Sequence, residues 1–526
     1  MLSGVESTRF RRRAPLLGCV LLVVLGHLLA GDRYGIHRDE LYFVACGRQL
    51  APGYVDHPPF VPAVARAACA VGGCDARSLR IPSLFARVAA VMLTLRLVQV
   101  LGGGSFAQAA AGLAVVFAPA YLRMGKILCL PVFEPVFWTA GVLLLVGLAR
   151  GRPRWWWLVL GLVVGVGTLN KHTTLLWALG AVVGTLTLSP LRAQLRTVWP
   201  WLGVAVAAVA VLPNVTWQHD HRYATVEFLS TIHRGMLAEI PRSLFVLGQL
   251  LYMHPFSMLL WGPGLWLSVT RPEGDGVGRL FGIIFVVGFG AFLATRGKPY
   301  YLAAAYPPLF AAGAVKWERW LKGRAARAAF VTAQVSTGLA LALLTLPVLS
   351  LPRMDAAVGA ILGRIVPPMA LTHDLHDEYG WRELAESVVV AWRGLSPDQR
   401  ARTEIVAGNY GEASALIYFG PSLGLPRASS GHMNYFLWGP TMPDADVVLA
   451  VGLRRDWLAQ RCTSIEELGV SDHPLAVPIE RRVPLVLCRG LVRPLGQLWP
   501  ELKRYDNSLG RPKATSVADQ PVVRQD

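Results

Sequence analysis

Two stretches hold most of the side chains in this chain that are equipped for chemistry. The first runs from Tyr34 to Phe60 and reads YGIHRDELYFVACGRQLAPGYVDHPPF. It sets Asp39 and Glu40 beside Arg38, and Asp56 beside His57. A carboxylate next to aromatic residues such as Tyr42 and Phe43 fits a general base, which takes the proton of a hydroxyl as its oxygen attacks. The same acidic pair also fits a helix-capping role in a solvated loop, and the residues alone leave both open. Pro58-Pro59 stiffens the chain and holds His57 in non-helical backbone. Tyr54, Asp56 and His57 there are suited to orienting a substrate, although a histidine before two prolines also fits an ordinary loop.

The second stretch, from Arg296, reads RGKPYYLAAAYPPLF. Arg296 and Lys298 suit a phosphate clamp, with Tyr300 and Tyr301 as aromatic neighbours. Interfacial anchoring by Tyr and Lys accounts for the same residues. Lys171 and His172, in LNKHTTLLW, form a third polar spot; a phosphate contact and plain turn chemistry both fit. Together these residues supply a base, cations for a phosphate and aromatic walls. That set matches transfer of a group from a lipid phosphate to an acceptor. No P-loop and no convincing DxD-type motif is present, which argues against a nucleotide-sugar donor. The seven cysteines form no metal-type cluster. Cys462 and Cys488 fit a disulfide or two separate thiols equally.

The elements that must position these residues follow from composition. Of 526 residues, 53% are hydrophobic and only 16% charged, with a mean hydropathy of +0.43. Soluble domains carry nearer a quarter charged, so the chain reads as a mainly α polytopic membrane protein. About eleven apolar runs are candidate spans: 14–30, 82–101, 105–122, 131–149, 155–169, 173–188, 199–213, 244–270, 280–295, 301–315 and 329–351. Arg11–Arg13 followed by 14–30 reads as a retained signal anchor. Residues 1–351 carry 32 basic and 13 acidic side chains, against 19 and 20 in 352–526. The basic excess lies in short loops, so it reads as a topology signal and not as a nucleic-acid surface. With the N-terminus cytoplasmic, the loops near 150–154, 190–196 and 316–327 fall inside. The loops holding Asp39, Asp56, His57, Lys171, His172, Arg296 and Lys298 all fall outside, and so does the tail.

The tail has no membrane-length apolar run. TEIVAGNYGEASALIYFG reads as a strand, a turn and a helix, while 444–452 and 482–490 read as buried strands. The expected organisation is a catalytic membrane domain over 1–351 with its first outer loop at 31–81. An extracytoplasmic α/β domain over 352–506 and a disordered end at 507–526 complete it.

The motifs HRDELYFVACGRQLAPGYVDHPP, RIPSLFARV, NKHT and RGKPYYLAAAYPPLFAAGAVKW, in that order, resemble the GT-C glycosyltransferases. The group is the dolichyl-phosphate-mannose protein mannosyltransferase-like one, which includes the aminoarabinose transferases of lipid A, and the resemblance covers most of the chain. It implies a GT-C fold with Asp39 as catalytic base and Glu40 beside it. It implies an inverting transfer from a polyprenyl-phosphate sugar to an acceptor lipid, glycan or protein at the plasma (inner) membrane, with no cofactor beyond the donor and no divalent metal. Arg296 and Lys298 match the basic stretch expected at the phosphate, and His57 stands where the family has lysine. Two other classes remain: a transporter or flippase of lipid-linked sugar, and a non-catalytic scaffold. Transporters keep charges at mid-bilayer and often carry inverted repeats, whereas the charges here lie in loops. A scaffold is permitted by the tail, where SGHMNYFLWGP (430–440) fits either a sugar cradle or a packed turn.

Overall fold

The computed structural model describes residues 2–235, 241–270, 275–364 and 368–506. The expected disordered end at 507–526 lies outside the described residues. The chain is mostly helical, with one small sheet near its C-terminus. It divides into two compact units. The first takes in the chain up to Arg33, Cys46–Tyr223 and His233–Pro368; the second takes in Tyr34–Ala45, Ala224–Ile232 and the described residues from Met369 on.

In the first unit every apolar run of the sequence contains a helix. Among the described residues, four helices are long and apolar enough to cross a membrane: Ala76–Val100, Leu130–Ala149, Val198–Asp220 and Arg324–Leu343. A fifth candidate, expected as one run over 244–270, is broken into Arg242–Tyr252 and Pro255–Thr270, which meet at 92°. Pro255 has no N–H to continue the first helix, and His254 before it takes a positive φ of 66°. The other apolar helices, such as Ser105–Phe117 and Thr174–Thr187, are shorter, so length and composition alone do not reach eleven spans. Large apolar side chains point outward: Trp201 is 62% exposed, Val204 61% and Val209 70%. A surface this apolar suits lipid and would be a liability in water.

Small residues let these helices approach closely, as is usual in membrane bundles. Helices Trp156–Asn170 and Val198–Asp220 meet at Gly161 and Gly203. A Cβ at either glycine would collide with backbone of the facing helix. The close approach matters because Val198–Asp220 carries Asn214 and Gln218, two buried amides that reach into the candidate site.

The second unit contains a five-stranded sheet in the order β2-β1-β3-β5-β4. The strands are β1 (Thr403–Ala407), β2 (Ser429–Ser430), β3 (Val447–Val451), β4 (Cys462–Asp472) and β5 (Arg482–Leu491). β1 pairs in parallel with both β2 and β3, and β5 runs antiparallel to β3 and β4. β1 and β3 are buried along their whole length, as expected of strands covered on both faces. Helix Tyr410–Leu423 follows β1. Asn409 caps it by accepting from the N–H groups of Gly411 and Glu412, and the Glu412 carboxylate returns a bond to Asn409 N–H. β1, β3 and β5 were readable from the sequence. β4 was not, because it is an edge strand, mostly exposed and carrying Glu466 and Glu467.

Two disulfides form: Cys462–Cys488, which joins β4 to β5, and Cys69–Cys74, which the sequence did not suggest. Cys19, Cys46 and Cys129 stay free and buried. Thiol labelling of the denatured, unreduced protein followed by mass spectrometry should therefore count three labels, and seven after reduction. Five or more labels before reduction would remove one of the bridges.

Candidate active site

In the second unit the helix Arg38–Arg48 starts directly after His37, with Asp39 and Glu40 in its first turn, where the helix dipole favours negative charge. Glu40 is fully buried and accepts from the His37 N–H at 3.0 Å. Asp39 is half-buried. Its N–H donates to His37 Nδ1 at 3.1 Å, and its Oδ1 accepts the Tyr410 hydroxyl at 2.8 Å. Arg38 points elsewhere: its Nη2 pairs with the buried Asp377 Oδ2 at 2.7 Å, and its guanidinium lies 5.4 Å over the Tyr410 ring.

Tyr410 is held from several sides. Its N–H donates to His432 Nδ1 at 3.2 Å, and its ring lies 4.9 Å from that of Tyr42. Burial, together with the Asp39 carboxylate, pushes the Tyr410 hydroxyl well above its ordinary range. It therefore stays protonated and serves as a donor to Asp39. Burial and the neighbouring Arg504 hold His432 down to about 3. The neutral imidazole accepts at Nδ1 and donates from Nε2 to the Asp506 carbonyl at 2.5 Å. The segment 430–440 thus packs as a turn around His432 that leads into the short helix Asn434–Trp438. Asp39 is left as a carboxylate aimed by a neutral tyrosine.

In the first unit the remaining sequence candidates form two groups. Tyr54 is fully buried. Its hydroxyl accepts from Ala51 N–H at 3.1 Å and donates to the Cys46 carbonyl at 3.0 Å, so it braces the 46–57 loop from within. His57 is buried against the Tyr54 ring, 4.8 Å away. Its Nδ1 lies 2.9 Å from the Pro58 carbonyl, to which it donates, and its Nε2 lies 3.8 Å from Asp56 Oδ1. The amides of Asn214 and Gln218 donate to the carbonyls of Pro52 and Tyr54 at 2.8 and 3.2 Å. Asn214 also meets His172 Nε2 at 3.3 Å. Burial lowers His172 below the usual histidine range, partly offset by that contact, so the ring is neutral there. One asparagine therefore ties the first loop to the NKHT turn.

Lys171 is half-buried. It pairs at 2.7 Å with the buried Glu134, which also accepts the Thr173 hydroxyl. Its ammonium lies 4.5 Å from the centre of the Tyr301 ring. The turn at 171–173 is thereby brought to the RGKPYY segment, where Arg296, Lys298 and Tyr300 are half-buried. Arg296 sits at a positive φ of 53°, and Lys298 precedes the 3-10 helix Pro299–Ala305. Among the described residues no group of three His, Cys, Asp or Glu side chains is placed to hold a metal ion.

The structure thus brings Asp39 together with Tyr410 and Asp377, which the sequence did not single out, and with His432 of the 430–440 segment through Tyr410. Their partnership spans more than 300 positions, which no local pattern carries. Glu134 was also missed, although a signal existed. A lone carboxylate inside the apolar run LPVFEPVFW must find a partner, and the structure pairs it with Lys171, 37 positions on.

Comparison with known proteins finds glycosyltransferases. Residues 56–217 match the family described as dolichyl-phosphate-mannose-protein mannosyltransferase. A curated relative, the lipid A galacturonosyltransferase RgtD of Rhizobium johnstonii, is 27% identical over 219 residues. That match takes in 40% of this chain and about half, 46%, of the relative's length. The fold resembles that of ArnT from Cupriavidus metallidurans bound to undecaprenyl phosphate, with a TM-score of 0.58 at 16% identity over 95% of this chain and 100% of that one. The apo state of the same ArnT gives 0.54 at 16% identity, over 89% and 98% of the two chains. Residues 56–217 thus resemble the dolichyl-phosphate-mannose-protein mannosyltransferase family, and the chain as a whole shares the fold of ArnT.

Proposed function

We propose that this protein moves a sugar from a polyprenyl-phosphate donor to an acceptor hydroxyl at the outer surface of the plasma (inner) membrane, with inversion. The observation that carries this reading is the Asp39 carboxylate, half-buried at a helix start and oriented by the Tyr410 hydroxyl at 2.8 Å. Asp39 takes the proton of the acceptor hydroxyl while that oxygen bonds to the anomeric carbon. The bond from that carbon to the phosphate oxygen breaks, and the lipid phosphate leaves with the electron pair. Fixed cations stabilise charge as it develops on a leaving phosphate, which is the role of Arg296 and Lys298. Tyr300 and Tyr301 line the donor, and Lys171 and His172 flank it. Asp56 and His57 form the edge of the sugar site, Glu40 caps the helix that presents Asp39, and Arg38 orders the same turn through Asp377. No cofactor beyond the donor enters this scheme.

The membrane region spans 1–351 and the α/β domain 352–506 in this reading. The outer placement of the site is supported by charge and by cysteine chemistry. The basic loops at 150–154, 190–196 and 316–327 fit the cytoplasmic face. Disulfides persist in oxidising compartments, and Cys69–Cys74 and Cys462–Cys488 lie in the two segments that this topology puts outside.

In a transfer assay with purified polyprenyl-phosphate sugar, Asp39→Asn should lose activity by about 100-fold or more, the scale of a lost general base, while inserting and melting like the parent. Full activity in that variant would end the assignment of the base. Tyr410→Phe keeps the ring and removes the donor. A hydrogen bond to a carboxylate favours its charged form, so losing the bond should move the acid limb of the pH profile of kcat/KM upward. Loss of one charge-assisted bond corresponds to about one pH unit. An unmoved limb would show that Tyr410 does not act on Asp39.

A further inference from the structure

The small sheet has a feature that the transfer chemistry leaves unused. β1 and β3 lie side by side in parallel, from Thr403↔Val447 to Ala407↔Val451. The chain leaves β1 toward β2 on one side, and β3 lies on the other. The connections therefore diverge between β1 and β3. Open α/β sheets bind ligands in the crevice beyond the carboxyl ends of the strands at such a point.

A crevice of about 380 Å³ lies there, with Gly408 after β1 and Gly452 after β3 as its floor. That size falls within the usual range of small-molecule pockets. Both glycines are required for it. A Cβ at Gly408 would come within 2.5 Å of the Gly452 carbonyl oxygen, and Gly452 holds a φ of +69° against the Glu412 carboxylate. Trp457 forms one wall, and its buried indole N–H has no hydrogen-bond partner in the structure. Arg461 lies 4.7 Å over the Trp457 ring and pairs with Glu501 at 2.7 Å. Arg504 donates to the Gly408 carbonyl and closes the inner end. Arg454, Asp456 and Gln460 stand exposed at the lip.

This lining selects a class of ligand. Three arginines face two carboxylates, so donors and acceptors alternate around an indole. A bare phosphate would find Arg454 and Arg461 already paired with Asp456 and Glu501, and a wholly apolar ligand would leave the charged groups beside Leu453, Trp457 and Leu502 unmatched. A sugar ring carries hydroxyls that both donate and accept at its edge, and C–H groups on its faces. We propose that this crevice binds a saccharide of one or two rings and holds the glycan portion of the acceptor. Binding energy from a part of the substrate remote from the reacting bond is available to orient the acceptor. Gly408 lies only two residues from Tyr410; the acceptor role rests on the transfer reading, whereas saccharide binding by the crevice is tested without it.

The test is saturation-transfer NMR on the full-length protein in nanodiscs, titrated with lactose and with galacturonic acid. Saturable binding of at least one probe is expected, with a Kd of about 1–10 mM, typical of a few weakly competing polar contacts. Arg454→Ala combined with Gln460→Ala touches only exposed side chains, and should weaken binding about tenfold or more, the scale of two lost hydrogen bonds. Trp457→Phe keeps an aromatic ring against the core, removes the indole N–H, and should weaken binding as well. Asp39→Asn should bind like the parent. No saturable binding of either sugar, or binding that both the double variant and Trp457→Phe leave unchanged, would overturn the proposal.

Discussion

The ion pair between Arg38 and Asp377, 2.7 Å long and nearly closed to solvent, joins side chains 339 positions apart. A buried charge without its partner costs several kcal/mol, so neither side chain is free to leave the other. The backbone adds a second tie, from Arg38 N–H to the Asp377 carbonyl at 3.3 Å. Both bonds fix the first turn of helix Arg38–Arg48, and that turn carries Asp39. Tyr410, from the helix after β1, then aims the carboxylate. The orientation of Asp39 is thus set by residues far down the chain.

The same economy of buried charge recurs in the helical unit. Glu134 pairs with Lys171 and Thr173, and Asn214 divides its amide between the first loop and His172. In surroundings of low dielectric an unmatched polar group is expensive. Each pairing also has a geometric effect, since it locks a turn that would otherwise move. Lys171 is held beside Tyr301, in the same short segment as the Arg296 and Lys298 that the proposed reaction assigns to the phosphate. Fixed cations are worth more at a developing charge than mobile ones, because they need no reorganisation as the bond breaks.

Much of this was legible in the sequence for reasons that are local. Apolar runs became helices because their composition leaves them no other way to satisfy backbone groups in lipid. β1, β3 and β5 announced themselves as short apolar runs between turns, with a helix after the first of them. The acidic pair and the basic RGKPYY segment stood out as charge in an apolar chain. Pairings over long separations did not show. Nothing near Asp39 points to Tyr410, and nothing near Arg38 points to Asp377. The break at His254-Pro255 was present as a proline but absent from a reading based on hydropathy alone. Tyr54 illustrates the converse, since its position beside Asp56 suggested substrate contact whereas its hydroxyl is bonded within its own loop.

The claim that most of the account rests on is the use of a polyprenyl-phosphate sugar. It is tested most directly by mass spectrometry of lipid-linked sugars in cells that lack the protein. The account predicts that one polyprenyl-phosphate sugar accumulates while one envelope glycan loses the same residue. An unchanged lipid-linked pool together with an unchanged glycan would contradict it.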